Sequence, residues 1–462
     1  MNCYSYLSSI VVLSLTALSF AQAAPAPAAP VPPTKESYLR FAAEVEKSLL
    51  DDDLKKFFPA ALDTTAGGGG FFENFSENWT HTPPVAGGRR GAAPATGAAP
   101  VAGADPIRSV VYQARLTWLS AQAAMRYPAQ AADYLKYTRH GAKFLMEKQW
   151  DSKNGGFSWS VDSAGASRAD SKHAYGNAFA VYALATSYRA THDQAALDAA
   201  KAGFQWLEAH SHDAANGGYY EQILGDNSRQ ATGSDIVGGK AGQKSMNSHI
   251  HLLESFTALL EVWPDPLVKT RTEELYQLNL TKIYADPGYL YMFFNADWSP
   301  IAGRDSYGHD IESAFLFADA AAALGKPDDP LCWKAGRNIV DHCLKVAFNQ
   351  DKGFLNGEGT VDGTGAMGTN LEWWVEAESL NAMLLMHERY GKDDPKYWNA
   401  FVKQWAFIKA HFIDPANGGW YKGVSTSLVP TRGNKSDAWT EGYHQGRSML
   451  NVTERLKRLA AQ

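Results

Sequence analysis

A chain of 462 residues with 45% hydrophobic content can bury one large core. Its formal charge of −6 is spread without long runs, which argues against nucleic acid or an anionic membrane surface as a partner. The 14 Trp and 21 Tyr are the compositional anomaly: such rings, with flat apolar faces and a polar edge, line carbohydrate clefts as readily as they fill helical cores.

In chain order, Ile10 to Phe20 is apolar but too short to span a bilayer. The small-x-small triplet Ala21-Gln22-Ala23 follows, so residues 1–23 read as an export signal, although no Lys or Arg precedes the run. The expected product is periplasmic or secreted. Residues 24–35 are an Ala/Pro-rich linker, and 36–462 read as a single catalytic domain. Within it, residues 85–106 are low-complexity Gly/Ala/Pro, expected to form a disordered surface insertion. Beyond the signal remain Cys332 and Cys343; on one helix they would stand about 16 Å apart, out of disulfide reach.

A repeat organises the rest. Asp151-Ser-Lys-Asn-Gly-Gly-Phe157 recurs as Asp213 to Tyr219 and as Asp414 to Trp420. Weaker copies begin at Asp63 (with Gly67-Gly68), Asp286 and Asp351. From Asp151 onward the intervals are 62, 73, 65 and 63 residues; the first, 88, contains the insertion. Asp caps and Asn and Gly turn, so each copy reads as a loop. Between the loops, Tyr175–Arg189, Asn247–Val262, Asp310–Leu324 and Trp374–Tyr390 carry apolar residues at helical spacing. Six helical hairpins, each hiding one face, predict an all-α (α/α)6 barrel, with an open solenoid as the alternative.

After each loop a helix start carries polar residues: Arg115; Tyr175 with Asn177; Asn247 with His251; His309 with Glu312; Trp374 with Glu378; His444 with Arg447. The leading members are 60, 72, 62, 65 and 70 residues apart, so in a closed ring they would meet at one end. Two imidazoles converging there could act as proton donor and acceptor near neutral pH. His309 and Glu312, three apart, are expected to pair. His249 and His251 are two apart and point to different sides of a helix, which argues against a shared metal. His251 instead shares a face with Asn247 and Glu254, and His249 reads as a structural hydrogen bonder. Trp373 and Trp374 are expected to bring at least one indole inward, and Trp439 reads as a sugar platform on a loop.

Taken together, Ala114-Arg115-x-x-Trp118, Tyr175-Gly-Asn-Ala-Phe179, Met246 to Glu254, Gly308 to Glu312, Trp373-Trp374-x-x-Ala377-Glu378 and Trp439-x-x-x-Tyr443-His444-x-Gly446-Arg447 resemble the N-acylglucosamine 2-epimerase superfamily, and most closely its cellobiose 2-epimerase branch. The resemblance implies an (α/α)6 barrel. It also implies that His309 and His444 are the acid/base pair and His251 and Glu312 their polar support. Arg115 then lies near the sugar's reducing end, and Trp374 and Trp439 stack on it. Tyr175, Asn247, Trp373, Glu378 and Arg447 complete the candidate sugar-binding set. Val375-Glu376 and Thr440-Glu441-Gly442 depart from that pattern, the latter lacking the basic-aromatic character usual there.

The function expected is 2-epimerisation of the reducing unit of a disaccharide such as cellobiose, through an enediolate. Mannose-type aldose–ketose isomerisation is the near rival, and a glycoside hydrolase or lyase on the same barrel the distant one. No cofactor and no metal are expected. The partner is a mono- or disaccharide, and the protein a monomer or weak dimer.

Overall fold

Helix starts are written into the chain as Asp and Ser caps. Asp193, Asp265 and Asp329 each accept a backbone N–H two residues on, the last two followed by Pro at the first helical position. Ser109 and Ser245 cap the same way through the N–H three residues on. In the computed structural model, which describes residues 31–66, 68–82, 107–365 and 367–462, thirteen α-helices result. They are α1 (Lys35–Ser48), α2 (Lys55–Ala61), α3 (Val110–Arg126), α4 (Ala131–Phe144), α5 (Ala174–Thr191), α6 (Gln194–His210), α7 (Met246–Val262), α8 (Pro266–Leu278), α9 (Tyr307–Ala323), α10 (Pro330–Val346), α11 (Trp373–Tyr390), α12 (Lys396–His411) and α13 (Tyr443–Ala461). The expected signal, most of the linker, Gly67 and the insertion at 85–106 lie outside the described residues. The first helix begins at Lys35, one residue before the expected domain boundary, with Thr34 as its cap.

Helices α3, α5, α7, α9, α11 and α13 form an inner ring, each packed on the next, and α13 packs back on α3. The barrel is therefore closed, as six hairpins require. Inner helices are buried nearly all round: α5 is buried without a break from Ala174 to Ser187. The partners α4, α6, α8, α10, α12 and α1 form the outer layer and bury one face only. Cys332 and Cys343 share α10, both buried and unpaired. No helix among the described residues is long and apolar enough to cross a membrane.

The Gly-Gly loops are held by a recurring set of contacts. The Asp of four copies, the three strong ones and Asp63, receives a buried cation from the entry of the following inner helix: Arg108 to Asp63, Lys172 to Asp151, Lys244 to Asp213 and Lys435 to Asp414, at 2.7–2.8 Å. The second glycine has φ of 71–76° in three copies, and a Cβ there would come within 2.5 Å of Trp206, Trp298 or Trp79. The loop carbonyl of Asn154, Asn216 or Asn417 accepts from Asn227 Nδ2 (2.6 Å), Trp298 Nε1 (3.0 Å) or Trp79 Nε1 (3.2 Å). All three donors have left-handed backbone, φ 64–71°.

Two weak copies sit in a different register from the one expected. Asp63 N–H bonds Gly70 O as Asp151 N–H bonds Gly156 O, so Gly69-Gly70, rather than Gly67-Gly68, are the equivalent pair. In the fifth loop Asn349, not Asp351, takes the Asp151 role, bonding Phe354 O through its own N–H and accepting from Gly353 N–H.

Candidate active site

The inner helices present their first two turns to one end of the barrel, and the backbone sets the phase. Gln113, Asn177, His249, Asp310 and Glu376 each accept the N–H of the core residue that closes the preceding loop: Phe71, Phe157, Tyr219, Leu290 and Leu355, at 2.7–3.2 Å. These residues, with Gln445 on α13, are the equivalent points of the repeat. The residue two further on is Arg115, Phe179, His251, Glu312, Glu378 or Arg447, and the residue one before is His309 on α9 and His444 on α13. Positions three apart share a helix face, so both sets turn inward while the loop anchors turn aside. The leading residues matched in the sequence (Arg115, Tyr175, Asn247, His309, Trp374, His444) are thus not equivalent. They mix three positions of the repeat, two before, one before and two after the anchor, because polar residues occupy different points of the first turns in different copies.

Arg447 is the hub. Nη1 donates to Glu254 Oε1 (2.5 Å) and the Tyr443 hydroxyl (2.7 Å); Nη2 donates to Glu378 Oε1 (2.5 Å) and to Glu312 Oε1. Tyr443 donates to Glu254 Oε1 (2.9 Å), and His251 Nδ1 bonds Glu254 Oε2 (2.9 Å). Burial would raise the Glu254 pKa, yet Arg447 and His251 hold it down at about 2. The expected His309–Glu312 pair is replaced: Glu312 accepts from Arg447, and His309 Nδ1 bonds Ser306 Oγ at 2.6 Å.

His444 Nδ1 lies 2.7 Å from Glu378 Oε1. Arg447 donates to the same oxygen, so that oxygen is an acceptor and Nδ1 carries the proton, leaving a lone pair on Nε2. Burial, with the charges of Arg115 and Arg447, pushes the His444 pKa well below the usual range, and the ring is neutral. Burial raises Glu378 to about 8, with Arg447 pulling against it and Glu312 adding to it. Both histidines rest against one indole: ring centres of His309 and His444 lie 4.9 and 5.6 Å from that of Trp374. Trp374 in turn lies on Gly308, where a Cβ would come within 2.4 Å of it.

Arg115 donates to Glu441 Oε1 (2.9 Å) and to the Tyr175 hydroxyl (3.0 Å), between the rings of Phe179 and Tyr443. Its Nε has no protein partner, and neither has Asn247 Oδ1, one turn before His251. Trp373 is buried at 6% exposure beside His444, a core indole rather than an open platform. Trp439 is half-buried in the turn Asp437–Thr440, its ring 5.9 Å from that of Trp159. Asn177 and His249 face the loops. His249 accepts from Tyr219 N–H at Nε2 and donates from Nδ1 to Ser245 O, and burial holds its pKa down at about 3. Both its nitrogens are spoken for.

Sequence reasoning did not select Glu254, Ser306, Tyr443 and Glu441 as site residues. Glu254 was legible as far as the face it shares with His251, three residues before it, though not as that histidine's partner. Two groups could hold a cation by proximity among the described residues: Glu312/Glu378/His444, into which Arg447 already inserts, and His173/Glu221/Asp235. In the second, Tyr175 N–H donates to His173 Nδ1, so Nε2 carries the proton and points it at Asp235, which leaves no lone pair for a metal.

The family model for N-acylglucosamine 2-epimerase (GlcNAc 2-epimerase) matches residues 97–445. The cellobiose 2-epimerase of Dictyoglomus turgidum is 29% identical over 357 residues, 76% of this chain and 88% of its own. A D-mannose isomerase of Thermobifida fusca is 23% identical over 334 residues, 66% of this chain and 75% of its own. Among solved structures, cellobiose 2-epimerase from Bacillus thermoamylovorans B4167 superposes with a TM-score of 0.78 at 27% identity, over 90% of this chain and 99% of that one.

Proposed function

Because the chain belongs to the N-acylglucosamine 2-epimerase family, a family of carbohydrate epimerases and isomerases here, we propose that it inverts C2 of the reducing-end unit of a disaccharide such as cellobiose by a two-histidine proton transfer. The observation that carries the reading is the pair His309 and His444 resting on the same indole, one neutral with a lone pair on Nε2. In the open-chain sugar the aldehyde acidifies the C2–H bond. One histidine takes that proton, and the electrons move into a C1–C2 enediolate whose oxygen accepts a hydrogen bond from Arg115. Rotation about C2–C3 presents the other face, and the second histidine returns a proton to C2. The roles reverse in the reverse reaction, so one site serves both epimers. Trp374 stacks on the sugar, and His251 and Asn247 bind its hydroxyls. Trp439, with Trp159, extends the platform towards the second sugar unit. Every step uses side chains of this chain alone.

Mannose-type isomerisation differs in one event, return of the proton to C1, and the relationship to the D-mannose isomerase keeps it as the second reading. Hydrolysis is disfavoured by geometry: Glu312 and Glu378 are bound by the same Arg447 nitrogen instead of flanking an open bond. Incubation with cellobiose and with mannose in heavy water tests the proposal. Deuterium at C2 in a glucose/mannose-type epimer pair is expected. A ketose carrying deuterium at C1 would establish the second reading, and release of free monosaccharides from cellobiose would defeat both.

A further inference from the structure

Glu441 stands in the tract that departs from the family pattern, and the mechanism above gives it no role. Its carboxylate is fully buried and bonds Arg115 Nη1 at 2.9 Å, opposite the Tyr175 hydroxyl on Nη2. Its backbone is delivered rigidly. Ser436 Oγ holds Thr440 O at 2.8 Å, and Gly442 is seated so tightly on Asp53 and Phe57 that a Cβ would lie 2.9 Å from Asp53. Phe179 and Tyr443 close the two faces of the guanidinium, with ring centres 4.5 and 4.9 Å from its carbon. A guanidinium clamped on both arms and both faces has one orientation, with Nε the nitrogen left without a partner.

We propose that Glu441 is a positioning residue for the C2 chemistry: ionised, it locks the plane of Arg115 through Nη1, so that the free edge of the guanidinium is presented to the developing oxyanion without reorganisation. The inference rests on the reading of Arg115 given above. It deepens that reading by making the lock depend on one carboxyl's charge. A charge-assisted hydrogen bond holds more strongly than a neutral one, so a protonated Glu441 behaves as a glutamine would. The charged and titratable groups that face it are Arg115 and Tyr112 from α3, Asp53 from the turn after α1, Asp437 from the preceding loop, and Arg447 from α13. Burial raises its pKa to about 7, against the pull of Arg115 and with a push from Asp437. The lock therefore opens and closes near neutral pH.

The test is the ratio of kcat for wild type to that for Glu441→Gln, measured as C2 deuterium exchange across pH, because titrations common to both proteins cancel. Loss of one charge-assisted bond to the catalytic arginine gives a ratio of about tenfold above pH 8. The ratio falls to about one below pH 6, with KM little changed. A second variant, Asp437→Asn, leaves Glu441 in place and moves the inflection to lower pH. In an Arg115→Gln background, Glu441→Gln costs nothing further. A ratio that is constant with pH, or additive losses in the double variant, overturns the proposal. An activity-independent reading comes from the Arg115 Nε–H resonance in 15N-arginine-labelled protein. It shifts near pH 7 in wild type and stays still in Glu441→Gln; a static wild-type resonance also overturns the proposal. Wild type that exchanges no C2 hydrogen while this resonance still titrates would instead sink the epimerase reading alone.

Discussion

Replacing Arg447 with Met removes the one cation that three buried carboxylates share while keeping the side chain's length. Breaking a buried ion pair from one side costs about 3–5 kcal/mol. An independent route gives a similar figure. Glu254 has a folded pKa of about 2, below its unfolded value of about 4.3, a difference of some 2 units or about 3 kcal/mol. The sign follows from the direction of that shift: the contribution is present above about pH 4.3 and is lost as pH falls towards 2. In Arg447→Met the largest part of that contribution is gone, with His251 and Tyr443 keeping the rest, and burial drives the carboxyls upward instead, Glu378 beyond its present value of about 8. A raised carboxyl costs stability as pH rises through its unfolded pKa; wild type already carries that cost for Glu378, and the variant adds it for Glu254, so the variant loses more ground than wild type between about pH 4.3 and neutrality. Urea unfolding at pH 7.5 and pH 4.5 therefore shows a stability gap of about 3 kcal/mol or more at the higher pH and a smaller one at the lower. A gap independent of pH would show that Arg447 acts by packing and that the charge network is incidental.

His309→Ala and His444→Ala each lower C2 exchange by about 10²–10⁴-fold, and the double variant is little worse than either alone; a His444→Ala enzyme near wild-type rate would end the two-histidine mechanism. His249→Ala removes two buried hydrogen bonds, so it lowers stability by about 1–3 kcal/mol with turnover largely kept, whereas His251→Ala lowers turnover; the comparison needs only melting curves and exchange rates for the two proteins. Prolonged chelation leaves exchange unchanged, and recovery of a lost rate on adding back a divalent ion would contradict this.

The barrel was legible because the Gly-Gly loops repeat in spelling and the inner helices in apolar period, and both are local properties of the chain. Helices read as Tyr175–Arg189, Asn247–Val262, Asp310–Leu324 and Trp374–Tyr390 fall within three residues of the observed bounds. The pairing inside the site was not legible. His309 and Glu312 lie on one side of α9, as their spacing requires, yet each has a better partner elsewhere: Ser306 from the helix entry, and Arg447 from α13, 135 residues on. Spacing along a helix tells which side chains face the same way, while a partner across the barrel is decided by ring closure. The same limit hid Glu441, whose contact with Arg115 spans 326 residues. It also misphased the repeat, since polar residues fall at different points of the first turns in different copies and are spelled alike whichever way they face.

Closure of the ring has a consequence for how the chain acquires its structure. The face of α1 that carries Phe41 and Val45 packs on α13 and α12, and Lys457 reaches Glu46 across 411 residues. Trp79 seals the loop at Asn417, and Phe75 N–H bonds Ser436 O. None of these contacts can form while the last hairpin is still being synthesised. The first helix of the described residues is thus the last of them to find its partner, and its apolar face stays solvent-exposed until the last hairpin is available. Contacts of such sequence separation are slow to form, and the exposed surface is open to wrong partners in the meantime. A circularly permuted chain that begins at α12 and carries α1 immediately after α13 would make that docking step local and hand the longest-range step to α11, whose contacts with α12 and α13 would then close the same barrel last.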